Sequence, residues 1–229
     1  MFEILQNLNF APFLLSFKLA SITTSILFVL SMPLAWYLSQ TKSKSKPIIE
    51  AITALPIVLP PSVLGFYILW ALSQNSPIGS FFEEYFGIKL VFNFTGIVIA
   101  SCFYSLPFMV QPLQNGFESI NKNMLEASYI SGKTKLQTVL KVAIPNIKPA
   151  IVTAIIVTFA HTVGEFGVVL MVGGSMPDET KVASIAIYEF VEIMDYESAH
   201  IYSGIMVLLS FMVLLSVYIF NQKQKSKIL

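Results

Sequence analysis

The chain has 229 residues, 14 basic and 13 acidic side chains, and 55% hydrophobic residues. Only 12% of its residues are charged, about half of the roughly 25% usual in soluble domains, and mean hydropathy is +0.73. An ordinary soluble domain is therefore excluded. All 14 basic residues are lysine, which removes the bidentate guanidinium contacts that read phosphate or guanine, so no nucleic-acid partner is expected.

A helix needs about 20 apolar residues to cross the hydrocarbon layer. In chain order, five blocks of that kind run over residues 12–37, 48–72, 94–113, 147–171 and 202–220. Unpaired backbone groups are not tolerated in lipid, so the blocks are expected to be helices of an all-α integral membrane protein, residues 1–229 forming one transmembrane domain. The first block is too long for a signal-peptide core, and Met1-Phe2-Glu3-Ile4 lacks a basic flank, so a retained helix is expected there. Cys102 lies inside an apolar block, where a small buried residue is the expectation. Two histidines and one cysteine supply no metal or catalytic cluster, so no cofactor and no enzymatic activity are expected.

Lysines in short loops mark the cytoplasmic side. Lys42, Lys44 and Lys46 fall in the first loop, Lys122, Lys133, Lys135, Lys141 and Lys148 in or beside the third, and Lys223, Lys225 and Lys227 in the tail. Only Lys89 and Lys181 fall in the alternate loops, with Lys18 near the outer end of the first helix. Five crossings then place the N-terminus outside and the C-terminus in the cytoplasm. The outer loops carry Glu83, Glu84, Asp178, Glu179, Glu189, Glu192, Asp195 and Glu197, either a solvated face or a docking surface for a partner protein. Ser184 to Met194 has the pattern of a short amphipathic helix lying on the membrane surface.

The cytoplasmic loop over residues 116–146 is the most informative segment. Asn121 to Ile130 favours a helix, Gly132 frees a sharp turn, and Lys133 to Val142 favours a second helix that Pro145 ends or passes to the next span. Leu136, Val139 and Leu140 share a face among Lys133, Lys135 and Lys141, a unit suited to another protein's groove. Ser131-Gly132-Lys133-Thr134 ends like a phosphate-binding loop. However, Ala127 stands where that motif needs its first glycine and no buried strand precedes it, so nucleotide binding is rejected.

Glu126, Ala127, Gly132 and Pro145 fall in register with the EAA loop of ABC importer permeases: Glu-Ala-Ala, three residues, Gly, nine residues, then Ile-x-Leu-Pro. Ser128, Val142 and Ile144 replace the second Ala, the Ile and the Leu. The chain thus resembles that family, which implies a type I importer permease fold in the inner cell membrane, a separate ATPase subunit docked on Glu126, Ala127, Ser128, Gly132, Ile144 and Pro145, and a homodimer around the pathway. It also implies a periplasmic or surface oxyanion-binding protein that delivers the solute.

Within the family, Gly164-Glu165-Phe166-Gly167, the later Met171-Val172-Gly173-Gly174 and Ala186-Ile187-Tyr188, and the helix-two run Leu55 to Gly65 are similar to the molybdate permeases, and more loosely to those for sulfate, thiosulfate and tungstate. Glu165 in mid-helix would cost about 2.5–3.5 kcal/mol at the bilayer centre, so it should face protein or water. It would repel a dianion, which leaves a hydrogen-bond anchor between helices, with His161 as partner, or a part of the outer gate. Pro56, Pro60 and Pro61 in helix two, with Pro107 and Pro112 in helix three, are expected to disrupt the backbone ladder. Pro60, Pro61, Ser62 and Thr162 are the expected pathway or gate residues with Glu165, although kinks that merely shape the bundle are the plainer reading. A secondary transporter should show internal repeats and intramembrane charge pairs. No repeat is visible, and Glu165 is the one clear intramembrane acid.

Overall fold

A computed structural model describes residues 9–225, all of whose regular elements are helical. The expectations placed on Met1 to Ile4 and on Lys227 lie outside those residues. The elements are α1 (Ala11–Gln40), α2 (Lys46–Val58), α3 (Pro61–Leu72), α4 (Pro77–Phe86), α5 (Phe94–Glu118) and α6 (Lys122–Ile130). They continue with α7 (Lys135–Asn146), α8 (Lys148–Gly164), α9 (Gly167–Gly173), α10 (Ala183–Glu192) and α11 (Tyr196–Lys225).

Three helices, α1, α5 and α11, are long and apolar enough to cross a membrane, and among the described residues the number rises to as many as five if each of two bent pairs is one span. The second apolar block is no straight helix: α2 and α3 meet at 112°. Pro60 and Pro61 offer no N–H there, while Pro60 C=O accepts from the N–H groups of Val63 and Leu64 at 3.0 and 3.1 Å. The fourth block is also divided, because α8 stops at Gly164 and the chain restarts at Gly167. By contrast, α2 runs unbroken through Pro56 and α5 through Pro107 and Pro112: each proline removes its own N–H from the ladder, but neither helix breaks there. Neighbours hold α5 in line on several sides, as it packs on α1, α2, α8 and α9.

In lipid no hydrophobic force drives helices together, so close packing of small residues and interhelical hydrogen bonds do the work. Ala20, Ala35, Ala100, Ala154, Ser101, Ser105 and Thr158 are all at 0% exposure on α1, α5 and α8. Sixty-one per cent of the apolar window of α5 is buried against 17% for α11, which puts α5 at the centre of the bundle and α11 on its rim. Leu27, Met109, Leu113, Phe117 and Ile147 fill one half of the bundle, and Leu19, Ile97, Val169 and Ile185 fill the other.

Lysines of the first and third loops meet at one end, where Lys42, Lys46 and Lys122 line one groove. Lys46 Nζ reaches Glu118 at 3.0 Å and Glu50 at 3.6 Å, and Gln114 donates to Glu50 at 2.6 Å and to Glu118 at 3.0 Å. This network ties the start of α2 to the end of α5. At the opposite end Lys18 sits over the Phe94 ring at 4.5 Å. There α10 does not lie free on the membrane. Ala183 and Ala186 are buried with Phe13 and Tyr202, so its apolar face is spent on α1 and α11.

Candidate functional site

The loop over residues 116–146 forms the helix–turn–helix its sequence predicts. Asn121 caps α6 by accepting the Asn123 N–H at 2.9 Å. The turn passes through Gly132 at φ +77, a region that costs a side chain roughly 1 kcal/mol or more, and the Gly132 N–H closes onto Tyr129 C=O at 2.9 Å. Thr134 then opens α7 with a reciprocal capping box to Gln137, so the residues resembling a phosphate loop serve as a turn and a cap.

Ser128, the departure from the family's second alanine, is buried and its hydroxyl meets that of Thr138 at 2.9 Å. That bond locks α6 to α7. Leu125 is buried toward Phe117 and Ile120; Glu126 and Ala127 are exposed. Ile130, Leu136 and Leu140 stand 88%, 68% and 55% exposed, an apolar patch at the tip. Val139–Ala143 is a π-helical turn, Ile144 packs on the core, and Pro145 is exposed just before the 76° bend into α8. Beside the loop, a groove of about 590 Å³ is lined by Lys42, Lys46, Lys122, Glu118, Glu126 and Tyr129 among others.

The second region is where the two helix breaks meet. A Cβ placed on Gly167 would lie 2.8 Å from Pro61 Cβ, so the α8–α9 break touches the α2–α3 break directly. Between them is a cavity of about 170 Å³, lined by Pro56, Ile57, Leu59, Pro61, Leu64, Tyr104, Phe108, His161, Glu165 and Val168. Pro61 and Glu165, both expected at the pathway, are thus brought together. Pro60 and Ser62 are exposed on the same break.

Glu165 is not in mid-helix. It is extended at φ −72, ψ 140, and Oε1 accepts the Val168 N–H at 2.9 Å, capping the start of α9. A carboxylate at a helix N-terminus meets unsatisfied amides and the positive end of the dipole, which offsets the cost of placing it in the membrane. The anchor is therefore to α9, and among the described residues no hydrogen bond joins Glu165 to His161. The His161 ring instead lies between Phe108 and Tyr104, centroids 3.8 and 4.9 Å away.

The break also frees carbonyls, and side chains from other helices take them up. Tyr104 Oη donates to His161 C=O at 3.0 Å, and Ser184 Oγ, from α10, donates to Glu165 C=O at 2.6 Å. Thr162 is 2% exposed and bonded to Ser105 at 2.9 Å and to Thr158 C=O at 2.8 Å. Thr162 thus packs between α8 and α5 and is not among the residues lining the cavity. Ser184 and Tyr104 were not singled out from the sequence, since nothing in their local pattern points to a break lying elsewhere in the chain.

Residues 13–226 match the family described as binding-protein-dependent transport system inner membrane component. The chain belongs to this family. It is accordingly an inner-membrane permease component that works with an ATPase and a binding protein, and it is not itself the catalytic subunit. It is 46% identical over 215 residues to the molybdenum transport system permease protein ModB of Azotobacter vinelandii, spanning 93% of this chain and 95% of that protein. The sulfate transport system permease protein CysT of Escherichia coli (strain K12) is 30% identical over 204 residues, 89% of this chain and 72% of that one. In fold, the chain is similar to a bacterial ABC transporter involved in import of the acidic polysaccharide alginate. The TM-score is 0.76 at 16% identity, covering 93% of this chain and 78% of the other.

Proposed function

We propose that this permease is the membrane subunit of an ATP-driven molybdate importer, and that two copies enclose the pathway. The 46% identity to a molybdenum permease along 93% of the chain, against 30% to a sulfate permease, carries the choice of anion. The cavity at the helix breaks contains no lysine among its lining residues and one carboxylate. Such a lining does not hold a dianion, so the cavity is not a binding site for the anion, and selection among molybdate, tungstate and sulfate is left to the binding protein.

In mechanism, ATP closes the ATPase pair and draws the two copies of α6 and its turn together. The exposed tip of Ile130, Leu136 and Leu140 supplies an apolar surface for a cleft in the ATPase, with Lys133, Lys135 and Lys141 around it. The Ser128–Thr138 bond and the capped turn make the loop a rigid lever. Rocking of each helix bundle then opens the cavity alternately to the two sides. A second copy set against the exposed face of α2 and α3, where Ile52, Val58, Phe66 and Trp70 are all more than half exposed, would close the pathway laterally.

The test is transport by the reconstituted complex of this chain, its ATPase and its binding protein in vesicles. Labelled molybdate should accumulate only with internal-side ATP, and unlabelled tungstate should compete far better than sulfate. Preferential accumulation of sulfate would overturn the assignment of the anion while leaving the permease role intact.

A further inference from the structure

Two short runs distant in sequence, Gly164 to Gly167 and Ser184 to Tyr188, meet in the fold. The Glu165 carbonyl, left without a helical donor by the break, receives the Ser184 hydroxyl at 2.6 Å. One turn along α10, the Tyr188 ring packs on Phe166 with centroids 4.9 Å apart. Residues four apart share a helix face, so a single face of α10 grips both residues of the break.

The rest of α10 is held at its two ends. Its first N–H, from Ala183, donates to Ser16 Oγ of α1 at 2.9 Å. Near its last turn Glu189 pairs with Lys181 and accepts from Ser175, which straps the outer loop over residues 174–182 to the helix. On the cavity side, Gly167 abuts Pro61 with no room for a methyl group. A displacement of α10 must therefore carry Glu165 and Phe166, and through Gly167 the α2–α3 break, and both breaks line the one cavity.

We propose that Ser184 and Tyr188 are positioning residues that transmit movement of α10, at the outer face, to the paired helix breaks. Docking of the anion-loaded binding protein on that face is then felt at the cavity and, through the bundle, at the ATPase. The proposal rests on the importer reading above. Neither residue touches the anion; each acts through the break.

The complete complex in vesicles tests it, with hydrolysis measured with and without molybdate-loaded binding protein, and uptake measured in parallel. Ser184→Ala and Tyr188→Leu should leave basal hydrolysis unchanged and lower the thermal midpoint only slightly, by the loss of one hydrogen bond or one ring contact. Stimulation by the binding protein, and uptake with it, should fall about fivefold for Ser184→Ala, the factor expected for one hydrogen bond. Ser184→Thr, which keeps the hydroxyl, and Tyr188→Phe, which keeps the ring, should restore both. Full stimulation in Ser184→Ala and Tyr188→Leu would overturn the proposal, as would basal and stimulated hydrolysis falling in equal proportion. A wild-type complex that imports no oxyanion would instead remove the importer reading on which it stands.

Discussion

Replacing Gly167 by alanine probes the contact between the two helix breaks. The added Cβ would lie 2.8 Å from Pro61 Cβ, whereas ordinary contact begins at 3.4 Å, so the breaks must part by about 0.6 Å. Neither atom is the end of a flexible chain: one is a methyl fixed to the backbone, the other part of a ring. Overpacking of this kind costs about 1–3 kcal/mol, and the gain in helix propensity on replacing glycine, at most about 1 kcal/mol, does not cancel it. Gly164→Ala is the matched control, because nothing lies within 4 Å of its Cβ position. The expected result is a lowered thermal midpoint for the purified Gly167→Ala protein together with impaired uptake, and neither effect for Gly164→Ala. A Gly167→Ala protein as stable and active as the wild type would refute the claim that the breaks bear on one another.

Glu165→Ala should remove the cap on α9, costing about 1 kcal/mol, whereas Glu165→Gln keeps an oxygen for the Val168 N–H; faster hydrogen exchange at Val168 in the alanine variant alone is the expected reading. Ser128→Ala should loosen the turn between α6 and α7 by about 1 kcal/mol, since Thr138 Oγ1 is left buried without that partner, and exchange in the loop over residues 128–138 reports it. Burial pushes the Glu189 carboxyl up, but the hydrogen bonds from Lys181 and Ser175 and the Lys181 charge together outweigh it and hold the pKa below the ordinary value. A depressed carboxylate stabilises the fold above its unfolded pKa and loses that contribution as pH falls through the folded one. The strap over residues 174–182 should accordingly open to protease only below about pH 4, and Glu189→Gln should abolish this acid dependence.

The membrane class, the grouping of loop lysines and the helical turn at Gly132 were legible because each rests on a local signal. Long apolar blocks, loop lysines and a glycine between two amphipathic runs need no knowledge of distant contacts. The breaks were only half legible. Pro60 and Pro61 announced one, but the division at Glu165 carries no proline, and an apolar run through Val163, Phe166 and Val168 reads as an uninterrupted helix. What divides it is tertiary: Tyr104 and Ser184 take up the freed carbonyls, and Glu165 caps the restart. Pro107 and Pro112 gave the opposite signal: they remove two N–H groups from the ladder yet sit inside an unbroken α5. Helix α4 was legible in principle, with Ser76-Pro77 at its start and Gly87 at its end. Its short, aromatic-rich sequence was passed over beside the longer blocks.

The central claim is that the turn at Gly132 transmits the work of ATP hydrolysis to the pathway. Gly132→Pro strikes at it directly. Proline fixes φ near −65° where the turn needs +77, and it deletes the N–H that closes on Tyr129. Molybdate uptake by vesicles containing the full complex should be ATP-dependent in the wild type and lost in Gly132→Pro, while the variant's membrane bundle keeps its thermal midpoint. Uptake that survives the substitution, or that proceeds without ATP, would contradict the account.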